Sequence, residues 1–166
     1  SIVGTLILSC ATPGPAERAM PEDLLYLNLV WHQHQPLYYQ DPETGVYSRP
    51  WVRVHATKSY YDMAAILKDY PEVRATFNLT PVLLRQIDDY VNGAKDRYWV
   101  LAEKHPSELT NDEKQFILER FFDANWENMI GKFPRYTELL ERREEINTGT
   151  LEGINSFSEQ DYLDLQ

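Results

Sequence analysis

Two histidines and two glutamines alternate directly after the most apolar stretch of the chain. Residues 24–36 read LLYLNLVWHQHQP, and Asn28 is the one clearly polar residue before His32, Gln33, His34 and Gln35 begin. A polar group of this kind at the end of a buried strand is typical of a substrate-binding or catalytic site. The alternative interpretation, core histidines with satisfied hydrogen bonds at an ordinary strand end, stays open.

A second group of side chains that could bind or catalyse lies in residues 51–58, which read WVRVHATK. If this segment is extended, Trp51, Arg53 and His55 point to one side. Indole, guanidinium and imidazole together would form a polar pocket wall, whereas a solvated loop fits the same spacing equally well.

The first group needs a strand to position it. The length of residues 24–31 and their content of Leu, Val, Tyr and Trp predict a strand covered on both faces, as in a parallel sheet. Side chains alternate along a strand, so His32 and His34 are expected on one side, with Gln33 and Gln35 on the other. Pro36 has no N–H to donate and ends the ladder. Parallel α/β proteins place their active sites beyond the carboxyl ends of such strands.

Downstream, the sequence predicts alternating helices and strands. A helix is expected over about residues 57–69, a strand over residues 73–78, and a second helix from Thr80-Pro81 to Asn92-Gly93. This order predicts right-handed βαβ units and a parallel sheet. The predicted buried stripes are Tyr60, Met63, Ala64 and Leu67 in the first helix and Leu83, Leu84, Ile87 and Val91 in the second.

The last third of the chain is predicted to be mostly helical. A capping box at residues 110–113 starts a helix that is expected to end at Gly131. Phe133-Pro134 starts another, in which residues 141–145 form a solvated face. Residues 146–156 are predicted to be a loop, and Ser158 the cap of a final helix. Two strands cannot complete a sheet or barrel, so the chain is expected to be a truncated domain.

Charge and composition limit the partners. The 166 residues carry a formal net charge of −10, which argues against nucleic acid and an anionic membrane surface. The single cysteine, Cys10, allows no intrachain disulfide. The sequence contains no phosphate-binding glycine loop, zinc-type Cys/His cluster or GxSxG elbow, and we expect no cofactor.

Residues 1–22 are predicted to be a clipped signal or lipoprotein-like leader with a linker rich in Pro, Gly and Ala. The apolar residues 2–8 have the length of a signal-peptide core, and residues 7–10 resemble a lipoprotein cleavage box at Cys10. This interpretation predicts export or a lipid anchor at Cys10. Otherwise, with Met20 as the true start, the protein is cytoplasmic.

Three stretches resemble motifs of glycoside hydrolase family 57, the α-glucan enzymes that include amylopullulanases, α-amylases and 4-α-glucanotransferases. They are HQHQP at residues 32–36, WVRVHATKSYYDMA at residues 51–64 and ATFNLTPVLLRQI at residues 75–87. Residues 111–143 and the closing FSEQDYLDLQ are similar to the N-terminal region of the same family. The resemblance thus extends over nearly the whole chain after the leader.

The resemblance implies an α/β fold in which residues 23–166 are the N-terminal part of an incomplete (β/α)₇ barrel. This part would hold the first two strand–helix units and a helical segment. The resemblance also implies a retaining mechanism whose nucleophilic glutamate and acidic aspartate lie on later strands. The segment itself is expected to carry no catalytic residue and to be inactive alone. Its partners would be an α-glucan oligosaccharide or polysaccharide and the remainder of the same barrel.

The resemblance further implies which residues bind the substrate. His32 and His34 line the sugar subsite where cleavage occurs, because their ring nitrogens suit hydrogen bonds to hydroxyl groups and can position charge. Gln35 fits the same strand end and is expected to orient them. Trp51 suits a stacking wall, and Arg53 and His55 are expected either to support the residues that contact the sugar or to lie at the pocket rim. No metal ligand is predicted.

Two other interpretations stay open. A His-x-His pair after a strand also begins the site of zinc-dependent mannosidases and polysaccharide deacetylases, although Gln35 and Pro36 follow here and the nearest carboxylate, Asp41, lies in a turn-rich loop. The high aromatic content would also fit a non-catalytic carbohydrate-binding remnant.

Overall fold

The structure is a computed structural model that describes residues 25–166. The predicted leader, its linker, Cys10 and Leu24 lie outside the described residues. None of the helices from residue 25 onward is both long and apolar enough to cross a membrane.

The described residues contain a two-stranded parallel sheet. Strand β1 spans Leu29–Gln33 and strand β2 spans Ala75–Leu79, with His32 paired to Asn78. A helical segment connects the strands, as a parallel pair requires, so the predicted α/β organisation is confirmed. β1 is shorter than predicted because residues 25–28 form no regular structure.

The prediction that both faces of β1 are covered is wrong for the described part of the chain. Val30 in β1 is 54% exposed, whereas Gln33 at its end is only 4% exposed. The Nε2 atom of Gln33 lies 3.8 Å from the sulfur of Met63, a residue of the connecting helical segment. That segment covers one face of the strand, and the other face remains in contact with solvent.

Residues 51–58 are helical rather than extended, which corrects the alternation argument. Helix α1 (Trp51–His55) continues into a π-helical turn (Ala56–Tyr60), helix α2 (Tyr61–Ala65) and a 3₁₀ turn (Ile66–Asp69). Residues four apart share a helix face and residues two apart do not. Trp51 and His55 therefore lie on one face and Arg53 on another. The alternating pattern suited a strand, but Val52 is buried and its helix packs against the helix at residues 81–91, which favours the helix instead.

The second long helix has the predicted ends but a different buried face. Helix α3 (Pro81–Val91) begins at the predicted proline and ends before Gly93, which adopts a φ of +97° that glycine tolerates. Leu83 is fully buried as predicted, but Leu84 and Val91 are 47% and 77% exposed. Gln86 takes a core position because its amide binds backbone groups there.

The remaining helices form the second half of the chain. They are α4 (Arg97–Ala102), α5 (Asn111–Arg120), α6 (Pro134–Glu144), α7 (Leu151–Asn155) and α8 (Glu159–Leu165), with 3₁₀ turns at Pro106–Glu108 and Ile130–Lys132. The predicted capping box at Thr110 and the predicted cap at Ser158 are both confirmed.

Two boundaries in this half differ from the prediction. Helix α5 ends at Arg120 rather than Gly131, and the Asn125 side chain accepts a hydrogen bond of 2.6 Å from the Asn128 N–H in a turn beyond it. Helix α7 lies inside the predicted loop. The Thr150 hydroxyl caps it by accepting the Gly153 N–H at 3.1 Å, so a glycine that suggested a loop instead sits in a capped helix.

The hydrophobic core lies among the helices of the second half, away from the sheet. Leu139 and Leu140 of α6 are buried in it, as predicted, and Tyr136 is packed against it. The other buried members of the cluster are Leu101, Leu109, Ile117, Leu118, Phe122, Ile130, Ile154, Phe157 and Tyr162. The contacts that lead from the first half of the chain to this helical half include the ion pair of Arg53 with Asp96 and the backbone hydrogen bonds of Tyr47 with Lys95 and Arg97.

Candidate functional site

His32 and His34 lie side by side at the carboxyl end of β1. Their ring centroids are 5.9 Å apart and their planes differ by 11°, which confirms that they share one side. Both residues are exposed to solvent. The interpretation as core histidines is therefore wrong in this structure, and both imidazoles are accessible to a ligand.

Gln35 lies in a chain of side-chain hydrogen bonds that ends on the backbone of His34. Its Oε1 accepts from the Tyr38 hydroxyl at 3.0 Å, and its Nε2 donates to the Tyr60 oxygen at 3.2 Å. The Tyr60 hydroxyl in turn donates to the His34 carbonyl at 3.0 Å. Burial raises the pKa of Tyr38, with a smaller contribution from nearby Tyr60, so Tyr38 remains a protonated donor.

A second contact holds the segment after the histidines. Gln86 of α3 is fully buried, and its Oε1 accepts the Tyr38 N–H at 2.8 Å. Its Nε2 donates to the carbonyls of Pro36 and Val82 at 3.0 and 3.1 Å. Sequence reasoning missed this residue because it searched for apolar stripes. Its spacing from Leu83, three positions earlier on the same face, was the available signal.

His55 approaches the same region through Tyr60. The His55 ring is half-buried, and its centroid lies 6.3 Å from that of Tyr60. Its Nδ1 is 3.5 Å from the Ser59 hydroxyl oxygen. The structure thus groups His34, Gln35 and His55 around Tyr60, with His32 next to His34.

Arg53 forms an ion pair with the buried carboxylate of Asp96. Its Nε lies 2.6 Å from the Asp96 Oδ2, and its guanidinium is 5.4 Å from the centre of the Trp99 ring. Asp96 is fully buried and also accepts the Trp99 N–H at 2.9 Å and the Tyr90 hydroxyl at 3.3 Å. Burial raises the pKa of Tyr90, and the negative charge of Asp96 raises it further. The pair joins α1 to the start of α4.

Trp51 is half-buried and faces the helices that follow. It lines a cavity of about 260 Å³ together with Tyr98 and Phe121. The predicted set of six residues therefore divides into a group around Tyr60 and two residues, Trp51 and Arg53, that contact the helical half.

The loop after the motif lines another cavity. This cavity, of about 420 Å³, is lined by residues 37–42 and by side chains of α3 that include Arg85 and Asp89. Tyr39 is 76% exposed at its edge, and the Asp89 carboxylate accepts the Tyr47 hydroxyl at 2.5 Å. An exposed aromatic ring beside polar groups is suited to stack on a sugar ring.

Asp41, whose carboxylate is the nearest to the histidines in sequence, accepts hydrogen bonds within its own loop. The Asp41 Oδ1 accepts the N–H groups of Thr44 and Glu43 at 2.8 and 3.0 Å. Hydrogen bonds from Thr44 and Glu43 lower the pKa of Asp41. Among residues 25–166, no three His, Cys, Asp or Glu side chains are grouped so that they could hold a metal ion.

The comparison with protein families identifies the class of protein. The family model of glycosyl hydrolase family 57 matches residues 28–165, most of the chain, so the protein belongs to this family. Comparisons with curated proteins and with solved structures found no match. Membership supports glycoside hydrolase or transglycosylase activity on a carbohydrate substrate.

Proposed function

We propose that the protein acts on α-glucans as a retaining glycoside hydrolase or transglycosylase of the amylopullulanase, α-amylase or 4-α-glucanotransferase type. The observation that carries this proposal is the pair of exposed, stacked imidazoles of His32 and His34 at the carboxyl end of a parallel strand. Substrate sites of parallel α/β folds form at this end of the strands.

The geometry of the pair suits a sugar. Each neutral imidazole offers one donor and one acceptor, so two parallel rings 5.9 Å apart can bond to hydroxyl groups on neighbouring carbons or on adjacent sugar units. The exposed ring of Tyr39 provides a stacking surface in the cavity next to the motif. His55 is a further contact candidate on the Tyr60 side. In this proposal Trp51 and Arg53 stabilise the helices around the site and do not contact the sugar directly.

We further propose that β1 and β2 are the first two strands of an incomplete (β/α)₇ barrel. The parallel pairing supports this arrangement, and so do the apolar side chains Val30 and Leu79, which are 54% and 43% exposed and which further barrel elements would cover. The reacting carboxylates would come from other strands of that barrel. Among residues 25–166 the buried aspartates are Asp96 and Asp161, and both are bound by arginines, so we give neither a catalytic role.

A titration by NMR tests the proposed substrate. The sequence contains four histidines, so the imidazole signals of a ¹³C,¹⁵N-histidine-labelled sample can be followed one by one. We expect maltoheptaose to shift the signals of His32 and His34, and the signal of His105, directly before a 3₁₀ turn of the helical half, to stay unchanged. Cellohexaose, the β-linked control, should cause no shift at the same concentration.

The matched variants are His34→Ala and His105→Ala. Both side chains are exposed, so neither change should lower the melting temperature by more than about 2 °C. His34→Ala should weaken maltoheptaose binding at least tenfold, because about 1.4 kcal/mol of hydrogen bonding to the sugar is lost. Equal binding of the two glucans, or an unchanged Kd for folded His34→Ala, would contradict the proposal.

A further inference from the structure

His34 lies one residue beyond the part of the strand that the sheet can hold. The ladder pairs β1 with β2 up to Gln33 opposite Leu79, and the Gln33 carbonyl accepts the Thr80 N–H at 3.2 Å. Pro36, two residues after His34, has no N–H to donate. His32 is inside the ladder, opposite Asn78, so the two stacked histidines have different backbone support.

Side chains bind the backbone where the ladder ends. Tyr60 donates to the His34 carbonyl, and Gln86 donates to the Pro36 carbonyl and accepts the Tyr38 N–H. Three alternate residues after the strand, His34, Pro36 and Tyr38, are thus held at their backbone by side chains. Gln86 is fully buried, and both of its Nε2 hydrogens have acceptors.

The hydrogen bonds around Tyr60 have one direction. A tyrosine hydroxyl has a single hydrogen, and Tyr60 donates it to the His34 carbonyl, so the Tyr60 oxygen must be the acceptor in its bond with Gln35. Gln35 donates there through Nε2, because its Oε1 accepts the Tyr38 hydroxyl. The hydrogen bonds therefore run from Tyr38 to Gln35, from Gln35 to Tyr60 and from Tyr60 to the His34 carbonyl. This direction fixes the orientation of the Gln35 side-chain amide.

The backbone of the connecting helix places Tyr60 in this position. Tyr60 is the last residue of the π-helical turn between α1 and α2. A π-helical turn contains more residues than an α-helical turn, so it rotates the residues that follow it relative to α1. Such turns occur frequently at functional sites.

We propose that Tyr60 is a positioning residue for His34: through the chain Tyr38–Gln35–Tyr60 it replaces the missing ladder and holds the second imidazole parallel to the first. This inference rests on the proposed function, because it takes sugar binding as the reason why the His32 and His34 imidazoles are held parallel. Tyr60 itself acts through the backbone of His34 and need not touch the sugar.

The variant Tyr60→Phe tests the role because it removes only the hydroxyl and keeps the ring next to His55. We expect the order parameter of the His34 amide and ring, measured by NMR relaxation without ligand, to fall from about 0.85 to below about 0.6. His32 should keep its order parameter, since the sheet holds it. The control Tyr61→Phe changes a neighbouring tyrosine that is 63% exposed, and it should leave both histidines unchanged.

A second variant, Gln35→Met, keeps the approximate length of the side chain and removes the donor and acceptor, and it should loosen His34 in the same way. The positioning role is overturned if His34 stays ordered in both folded variants, or if His32 and His34 loosen equally. In the supported case, Tyr60→Phe also weakens maltoheptaose binding about tenfold. If the unchanged protein does not bind maltoheptaose but His34 still loosens, the proposed function fails and the positioning role stands.

Discussion

Arg53, a predicted substrate-binding residue, stabilises the fold through an ion pair with Asp96. Its position after Trp51 and before His55 suggested a polar pocket wall, but the helix turns it toward Asp96. The Arg53 side chain is 30% exposed and the Asp96 side chain is fully buried, so the carboxylate has lost its water and depends on this partner. The pair stabilises the contact between α1 and α4.

The variant Asp96→Asn measures how much the ion pair with Arg53 contributes to the free energy of unfolding. Asparagine keeps the helix cap but removes the charge that Arg53 binds, and we expect the free energy of unfolding to fall by about 2 kcal/mol. Urea denaturation followed by circular dichroism gives the value. The control Asp112→Asn, at an exposed position in the first turn of α5, should change it by less than about 1 kcal/mol. Equal losses in the two variants would contradict the role of the pair.

Two threonines that begin helices have different roles, although the sequence assigns both as caps. The Thr110 hydroxyl accepts the Glu113 N–H at 3.3 Å, and the Glu113 carboxylate in turn accepts the Thr110 N–H at 2.8 Å. Thr80 has the backbone angles of a cap and is followed by Pro81, but its hydroxyl is buried with no hydrogen-bond partner among the described residues. α3 therefore starts because of its proline and its packing.

Substituting valine for each threonine distinguishes a hydroxyl that caps its helix from one that does not. Thr110→Val should lower the free energy of unfolding by about 1 kcal/mol, because the capping box is lost. Thr80→Val keeps the branched shape and removes an unpaired polar atom, so it should be neutral or raise stability by up to roughly 1 kcal/mol. Thermal denaturation of the two variants side by side decides the point. A larger loss at Thr80 than at Thr110 would mean that the Thr80 hydroxyl does cap α3.

At the scale of the whole molecule, the charged segment of α6 helps to hold the helical half together. The prediction that residues 141–145 are simply solvated is wrong for Arg142. Its two terminal nitrogens lie 2.9 and 3.0 Å from the oxygens of Asp161, and Arg135 lies 2.6 Å from the same carboxylate. Asp161 also belongs to the capping box at Ser158, so these contacts connect α6 to the start of α8.

This cluster predicts how stability depends on pH. Burial pushes the pKa of Asp161 upward, but hydrogen bonds from Arg142, Ser158 and Arg135 outweigh it and hold the pKa well below the usual 3.8. The unfolded chain therefore takes up the proton first as the pH falls. The stabilisation from Asp161 is complete above about pH 5 and is lost as the pH falls below about 4 toward the lower pKa of the folded state.

Melting temperatures measured between pH 6 and pH 2.5 test this expectation. The variant Asp161→Asn should melt about 5 °C lower at pH 6, the size expected for a loss of about 2 kcal/mol. Its melting temperature should then fall less than that of the unchanged protein, so the two curves approach each other at low pH. Parallel curves over the whole range would show that Asp161 contributes no pH-dependent stability.

Local signals in the sequence determined much of this protein. The HQHQP motif indicated the family and the strand end, and the alternation of side chains in a strand placed His32 and His34 on one side. Thr110 and Ser158 marked helix starts correctly, because a capping box is completed within four residues. These features depend on neighbours in the chain, so reading along the sequence was enough.

Other features required the tertiary structure because their partners are far apart in sequence. The apolar and polar alternation of residues 51–55 favours a strand, but packing of Val52 and pairing of Arg53 with Asp96 favour the helix that forms. Gln86 resembles an ordinary surface residue until α3 places it against the carbonyl of Pro36. The sequence alone thus predicted which side chains could bind a sugar, whereas contacts between distant segments decided how those side chains are grouped and what holds them.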